Sequence, residues 1–544
     1  MRRSLSYSLA FFAPLLLALV LVAAQGEARP GGGNTYRGSS SSSSSGSRGF
    51  SSSSSSSHSY SSSSSGSHSS SSGSYSGSSS SGSGSSVGGA FGGLCFLLMM
   101  VMIIMAVVAS AQRSQKQGKD WSTAAPPPRP VDVVGFAPGA RPVSARKLLE
   151  RLRTAGPPGP DGRPVPFDPD FSLVPFEDFL YALYAKAHEA RGGGRVDTLA
   201  AYLSQGARQT LSGISQPVHV KAVVVGSMQY LDATNLRPDS QTVSVRIRFE
   251  ANYTEVSTNG FEQSFYVAEE WTLSRSTAAK SRPPDAARVF KCPNCGAPLE
   301  GMRGNTCSYC EKKVDTGEFD WVVATVELQE REARGPQLGG DTPEEGTDLP
   351  TVKQPRVNEH LGALLEQDPE LSWNALAGRL VLIFQELQVA WSNRQWEHAR
   401  PYVSDSLFQM QLYWMEAYKQ AGLRNVTEKA RITRVELARV VGDKYYHAIT
   451  VRLFATGLDY TVRDSDGHVV GGSKSRERQY SEYWTLIRGT SAKGRPRTDK
   501  HCPSCGAPLA INLAGNCTHC SARVSSGDFD WVLSRIEQDE SYQG

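Results

Sequence analysis

CPNCGAPLEGMRGNTCSYC at residues 292–310 returns as CPSCGAPLAINLAGNCTHC at residues 502–520, and these two stretches decide how the rest of the chain is read. Each holds two Cys-x2-Cys pairs eleven residues apart. Such pairs each offer two thiolates to one side of a tetrahedral ion, and the two turns together close its shell. Zinc is the expected ion, held structurally by Cys292, Cys295, Cys307 and Cys310 and again by Cys502, Cys505, Cys517 and Cys520. Gly296 and Gly506, following the first pairs, permit the tight backbone turn around the metal. His501 and His519 adjoin complete ligand sets and read as bystanders. Eight of the nine cysteines fall in these clusters, which is the pattern of metal sites in a reducing compartment and not of a disulfide framework.

The correspondence runs past the cysteines. Gly317, Phe319, Asp320 and Trp321 recur 210 positions later as Gly527, Phe529, Asp530 and Trp531. Upstream, Glu270-Trp271-Thr272-Leu273 answers Tyr483-Trp484-Thr485-Leu486, and Tyr202 with Ser204 answers Tyr402 with Ser404. The chain reads as an internal duplication of a domain plus its ribbon. In each half helical spacing comes first, at Phe176, Phe179, Leu180, Leu183 and Tyr184 and at Leu376, Leu380, Ile383, Phe384 and Leu387. Alternating, β-branched runs follow at 218–225, 242–249 and 264–273, and at 430–437, 446–454 and 480–487. The expected class is α+β, an antiparallel sheet with helices on one face, twice. The predicted domains span 165–288 and 368–498, the ribbons with a docking strand span 289–328 and 499–540, and an acidic linker occupies 329–367. Trp321 and Trp531 are expected to dock each ribbon against its domain.

Toward the N-terminus the chemistry becomes that of a membrane. Residues 1–24 resemble a secretory signal, with Arg2 and Arg3, an apolar run from Leu9 to Val22, and small Ala23 and Ala24. Residues 25–89 are dominated by serine and glycine and cannot bury enough apolar surface to fold, so a disordered segment is expected. Residues 90–111 (AFGGLCFLLMMVMIIMAVVASA) carry no charge and are long enough to be a transmembrane helix. Arg113, Lys116 and Lys119 follow at once, which predicts a single-pass protein with its C-terminal domains in the cytoplasm. Gly88, Gly89, Gly92 and Gly93 form two overlapping GxxxG spacings that would suit a homodimer through this helix. A Pro-rich linker at 112–164 completes the approach to the first domain. Within it Val143 to Arg153 is a short basic helix, either lying on anionic headgroups or capping that domain.

A net charge of +4, with both signs interspersed, gives no electrostatic case for a nucleic-acid partner. The phosphate-cradling, HExxH and dinucleotide motifs are absent from the sequence, and no GxSxG follows a predicted strand as a nucleophile elbow. The one acid/base candidate is His447 with Asp459, which would make an enzyme of the chain if a sheet brought them together.

The order of parts resembles bacterial members of the Tim44-like family, related to the C-terminal domain of the mitochondrial inner-membrane import-translocase subunit. The features carrying the resemblance are the signal-like start, GGAFGGL at 88–94, and helices followed by strands ending in EEWTL (269–273) and EYWTL (482–486). It covers about residues 165 to 330 and 370 to 540. The resemblance implies tandem curved antiparallel sheets with packed helices, similar to the cone of the nuclear-transport-factor-two superfamily. It also implies an inner-membrane location and a non-enzymatic role in binding membrane lipid or membrane proteins. Trp271, Trp484, Tyr266 and Tyr483 are the expected lining of the concave surfaces. Two copies, zinc ribbons and a membrane span all depart from the mitochondrial protein, so import-motor function does not carry over.

Overall fold

The computed structural model describes residues 144–335, 338, 347–539, 542 and 544, and the backbone of 35–37 and 119–120. In chain order the first half contains α1 (Ala145–Leu149, continued by a 3-10 turn to Arg153), α2 (Leu173–Arg191) and α3 (Gln205–Ile214). Its strands are β1 (His219–Thr234), β2 (Thr242–Val256), β3 (Glu262–Ser276) and, beyond the first ribbon, β4 (Val322–Glu332). The second half contains α4 (Val357–Gln367), α5 (Trp373–Ser392), α6 (Asp405–Gln420), β5 (Leu423–Gly442), β6 (Tyr446–Arg463), the short β7 (Val469–Gly472), β8 (Arg478–Gly489) and β9 (Val532–Gln538). The first sheet has the order β1-β2-β3-β4 and the second β5-β6-β8-β9 with β7 beside the far end of β6, all antiparallel. The same succession of helices, strands, ribbon and closing strand therefore occurs in both halves.

Local chemistry explains where the helices begin. Ser204, Ser372 and Ser404 each accept a backbone N–H three residues on, from Ala207, Ala375 and Leu407, the N-cap arrangement that satisfies an otherwise orphaned donor. The apolar stripes of α2 and α5 then face the sheets, with Leu183, Tyr184, Ile383 and Leu387 at 0% exposure. The strands outrun their predicted bounds, and β6 is buried almost without interruption from Ile449 to Val462 instead of alternating. The cause lies on the sheet's second face. Arg452, at 1% exposure, donates to the Leu349 carbonyl (2.6 Å) and to Asp539 (3.0 and 2.8 Å), so the segment before α4 and the turn after β9 fold over the strand. The predicted linker at 329–367 thus contains the end of β4 and all of α4, whose Val357 and Leu364 are buried.

The halves interlock. Tyr266 and Ala268 of β3 belong to the second half's hydrophobic core. Charges seal the joint: Arg146 and Arg535 both reach Glu177, Arg439 reaches Glu150 (2.6 Å), Lys444 reaches Asp170 (2.8 Å), and Arg288 reaches Asp405 (2.7 Å). Burial tends to raise the Glu177 carboxyl, but Arg146 and Arg535 overcome it and hold it below the usual 4.5; Arg400, Arg288 and Arg523 likewise overcome burial at Asp405, below 3.8. Carboxyls depressed in the folded state contribute stability above their unfolded values and lose it as pH falls through the folded ones. Acidification from about pH 4.5 downward is therefore expected to loosen the joint before either core melts. Limited proteolysis between 333 and 356 as a function of pH checks this; cleavage that stays constant until global unfolding would contradict it.

The helix at 144–153 turns its apolar side into the protein. Leu149 and Leu152 are both at 0% exposure in the first half's core, and Glu150 and Arg153 pair with Arg439 and Asp443 of the second half. Its apolar face is already covered, so it caps the domain. Among the described residues no helix is long and apolar enough to cross a membrane. The signal-like segment, nearly all of the Ser-rich stretch, the apolar run 90–111 and its GxxxG glycines lie outside the described residues.

Candidate metal centres and the cores behind them

In each ribbon the four sulfurs converge within 4.8 Å of one another, with Cys292 and Cys310 3.9 Å apart, Cys295 and Cys307 3.8 Å, and Cys502 and Cys520 3.8 Å. A tetrahedron of thiolates around an ion at about 2.3 Å has edges of about 3.8 Å, so these donors fit a single metal ion. The turn that gathers them is closed by Gly296 N–H donating to the Cys292 carbonyl (2.8 Å) and Gly506 to Cys502 (2.9 Å), both glycines at φ +74°, a left-handed conformation that disfavours any side chain. Burial pushes the Cys292 thiol up to about 12. Hydrogen bonds from the Asn294 side chain and the Lys312 backbone hold Cys310 down, at about 6, and the Ala522 backbone does the same for Cys520, at about 7. Because only thiolates ligate, filling either shell with a metal ion releases the protons its thiols still carry. His501 is exposed beside Asp499 (3.4 Å), while His519 donates its backbone N–H to Cys517 Sγ (3.4 Å) without offering its ring.

Behind each ribbon sits a buried stack. Trp321 lies 4.9 Å from Phe176 and 4.8 Å beneath the Arg275 guanidinium, which pairs with Asp168 (2.8 Å). Trp531 lies 4.8 Å beneath Arg488, which pairs with Asp368. All seven groups are buried. These tryptophans anchor the chain leaving each ribbon in the domain core, directly before β4 and β9. Phe319 packs against the first core, whereas Phe529 is 36% exposed. Asp168 and Asp368 give no periodic or motif signal, and the Asp-Pro dipeptide that both begin is the only hint in the sequence.

The four residues expected to line concave surfaces are interior. Trp271 and Trp484 are covered by α2 and α5 through Tyr184 (5.1 Å) and Phe384 (5.9 Å), and their indole N–H groups donate to Glu269 (2.8 Å) and Glu482 (2.9 Å). That bond explains the Glu-x-Trp of both strand motifs, since residues two apart share a strand face. Tyr266 and Tyr483 point to the other face, where Tyr266 lies under Arg334 (4.2 Å) and Tyr483 stacks on Tyr542 (3.8 Å). All four have exposures of 0 or 1%.

His447 and Asp459 do not form a pair. They lie twelve residues apart on the single strand β6, roughly 40 Å when extended. Asp459 instead accepts from Asn425 (2.8 Å), and His447 sits against Gly442. A titratable cluster that sequence reasoning missed occupies the first core: His188 Nε2 is 3.1 Å from Glu269, its Nδ1 is 3.0 Å from Arg191, and Arg191 reaches Glu255. Because arginine only donates, Nδ1 accepts and Nε2–H donates to Glu269. His188 and Glu269 are both at 0% exposure among Tyr184, Tyr253 and Trp271, so the pair lies inside the first core.

Among curated proteins none matches the chain. The stretch that runs from α4 through β8 to the approach of the second ribbon, residues 358–497, matches the family model described as the Tim44-like domain, and the second half therefore carries a Tim44-like domain.

Proposed function

We propose that this protein is a membrane-anchored, non-enzymatic binding protein that presents two copies of one module, each with a structural zinc ribbon, at the cytoplasmic face of a membrane. The observation that carries the reading is the Tim44-like match at 358–497, to which the first half adds the same order of elements and the same cysteine shell. Zinc is the ion favoured by an all-thiolate set in a closed site. The apolar run at 90–111 supplies the anchor. Because Trp271, Trp484, Tyr266 and Tyr483 are buried, the surfaces offered for binding are the outsides of the helices and ribbons. Val389, 54% exposed on α5, is one such position.

A photocrosslinking side chain at Val389 in the full-length, membrane-embedded protein is expected to capture defined membrane proteins, with two zinc ions per chain measured on the same sample. Adducts of lipid alone would replace a protein-binding role with a lipid-binding one. Another metal in the shells would displace zinc from the proposal.

A further inference from the structure

The halves differ where each ribbon meets its long helix. In the first half Phe290, two residues before Cys292, plugs this junction, with its ring 5.9 Å from Phe179 and edge-on to Tyr202 at 5.2 Å. Lys186 Nζ stands 5.7 Å from the same ring. Matching the halves by their cysteines and their helices puts Lys500 where Phe290 stands, Arg379 for Phe179, Tyr402 for Tyr202 and Glu386 for Lys186. Lys500 turns away to Glu386 (2.7 Å) and is 62% exposed. The junction is left as a small cleft open to solvent. Pro401, Pro503, Leu509, Val524 and Phe529 form its apolar walls.

The floor of the cleft keeps the setting in which the first half holds its ring. There Arg282 pairs with Asp320 (2.7 Å) and lies 5.5 and 5.6 Å from the rings of Phe179 and Tyr202. Here Arg379, 5% exposed, lies 5.4 Å over Tyr402, 3.6 Å from Asp530, and donates to the Trp531 carbonyl (3.0 Å). Cation, aspartate and tyrosine are present in both halves; the plugging ring is present in one. A guanidinium face and proline walls favour an aromatic guest. The open mouth, with Arg497 and Asp499 on it, leaves room for the polypeptide that carries that guest.

We propose that the cleft between the second ribbon and α5 binds an aromatic side chain of a partner polypeptide, in the place that Phe290 fills in the first half. This deepens the protein-binding reading and rests on it for the nature of the partner.

The test titrates detergent-solubilised full-length protein into the pentapeptide acetyl-Gly-Gly-(4-fluorophenylalanine)-Gly-Gly-amide and follows the fluorine resonance. Saturable broadening is expected, competed by the phenylalanine peptide and not by its alanine counterpart. Lys500→Phe, which installs the chain's own plug, should weaken binding by about tenfold or more, the scale of one buried aromatic side chain. Because it fills space, it should leave the thermal midpoint equal or higher. Phe529→Ala, at a partly exposed wall, should weaken binding without disturbing the fold. Absence of saturable binding, equal competition by the alanine peptide, or unchanged affinity in Lys500→Phe would overturn the proposal. Failure here leaves crosslinking at Val389 intact, since that probe lies outside the cleft lining, so the two readings fail separately.

Discussion

Cys517→Ser is expected to abolish metal binding in the second ribbon and to unfold that ribbon while both sheets persist. Cys517 is 1% exposed and its neighbours in the shell cannot complete a tetrahedron without it. In small zinc domains the ion contributes on the order of 10–16 kcal/mol at neutral pH, and that binding energy is folding energy. The buried ribbon side chains are chiefly Cys502, Cys517 and Val524, too small a cluster to hold the loop by itself. Damage should stop at Trp531, which sits in the domain core under Arg488, and at β9, which pairs with β8 through its own ladder. Metal analysis should fall from two ions per chain to one, and amide exchange should accelerate from 500 to about 526 with β8 and β9 still protected. Two retained ions, or unchanged protection in the ribbon, would refute the assignment of these ligands.

Asp368→Ala is expected to destabilise the second half by about 3–5 kcal/mol, the usual result of removing one partner of a buried ion pair. Its carboxylate also accepts the Gly494 N–H (3.0 Å), so the change strands both a charge and a donor. Arg488, 2% exposed and pressed on Trp531, has no route to solvent. The companion double variant Asp368→Ala/Arg488→Met should recover much of the loss, because it removes the stranded charge as well. Denaturant midpoints of the full chain, followed by tryptophan fluorescence, check both. A loss below about 1 kcal/mol for the single variant would mean that water or another group replaces Asp368.

The ribbons were legible because their information is local: four cysteines at fixed spacing and a glycine at a turn of φ +74°. Helix faces such as Leu376, Leu380 and Ile383 were legible for the same reason, one period repeated along one element. What escaped was whatever depends on residues far apart in sequence. Alternation in β6 vanishes because a segment about a hundred residues away lies over it. Tyr266 and Tyr483 looked like candidates for a surface because each half was read alone, while their covers are Arg334 and Tyr542. The His188–Glu269 contact and the arginines that converge on Glu177 leave no periodic trace at all. Helix α4 was hidden by the acidic, proline-bearing context that precedes it, although Leu361, Leu364 and Leu365 have helical spacing.

The position of β9 has a consequence for how the molecule can be divided. The stretch recognisable as a Tim44-like domain ends at 497, yet the strand that closes its sheet begins at Val532, on the far side of the ribbon. A fragment cut at the recognisable boundary would expose the flank of β8, a ready template for pairing with other chains. The ribbon is thus a clasp in the path of the sheet and not a pendant: the chain must pass through the metal-binding loop before the last strand can be laid down. During synthesis the sheet of each half stays open until its cysteines have emerged, so the metal-binding loop is made before either sheet can be sealed.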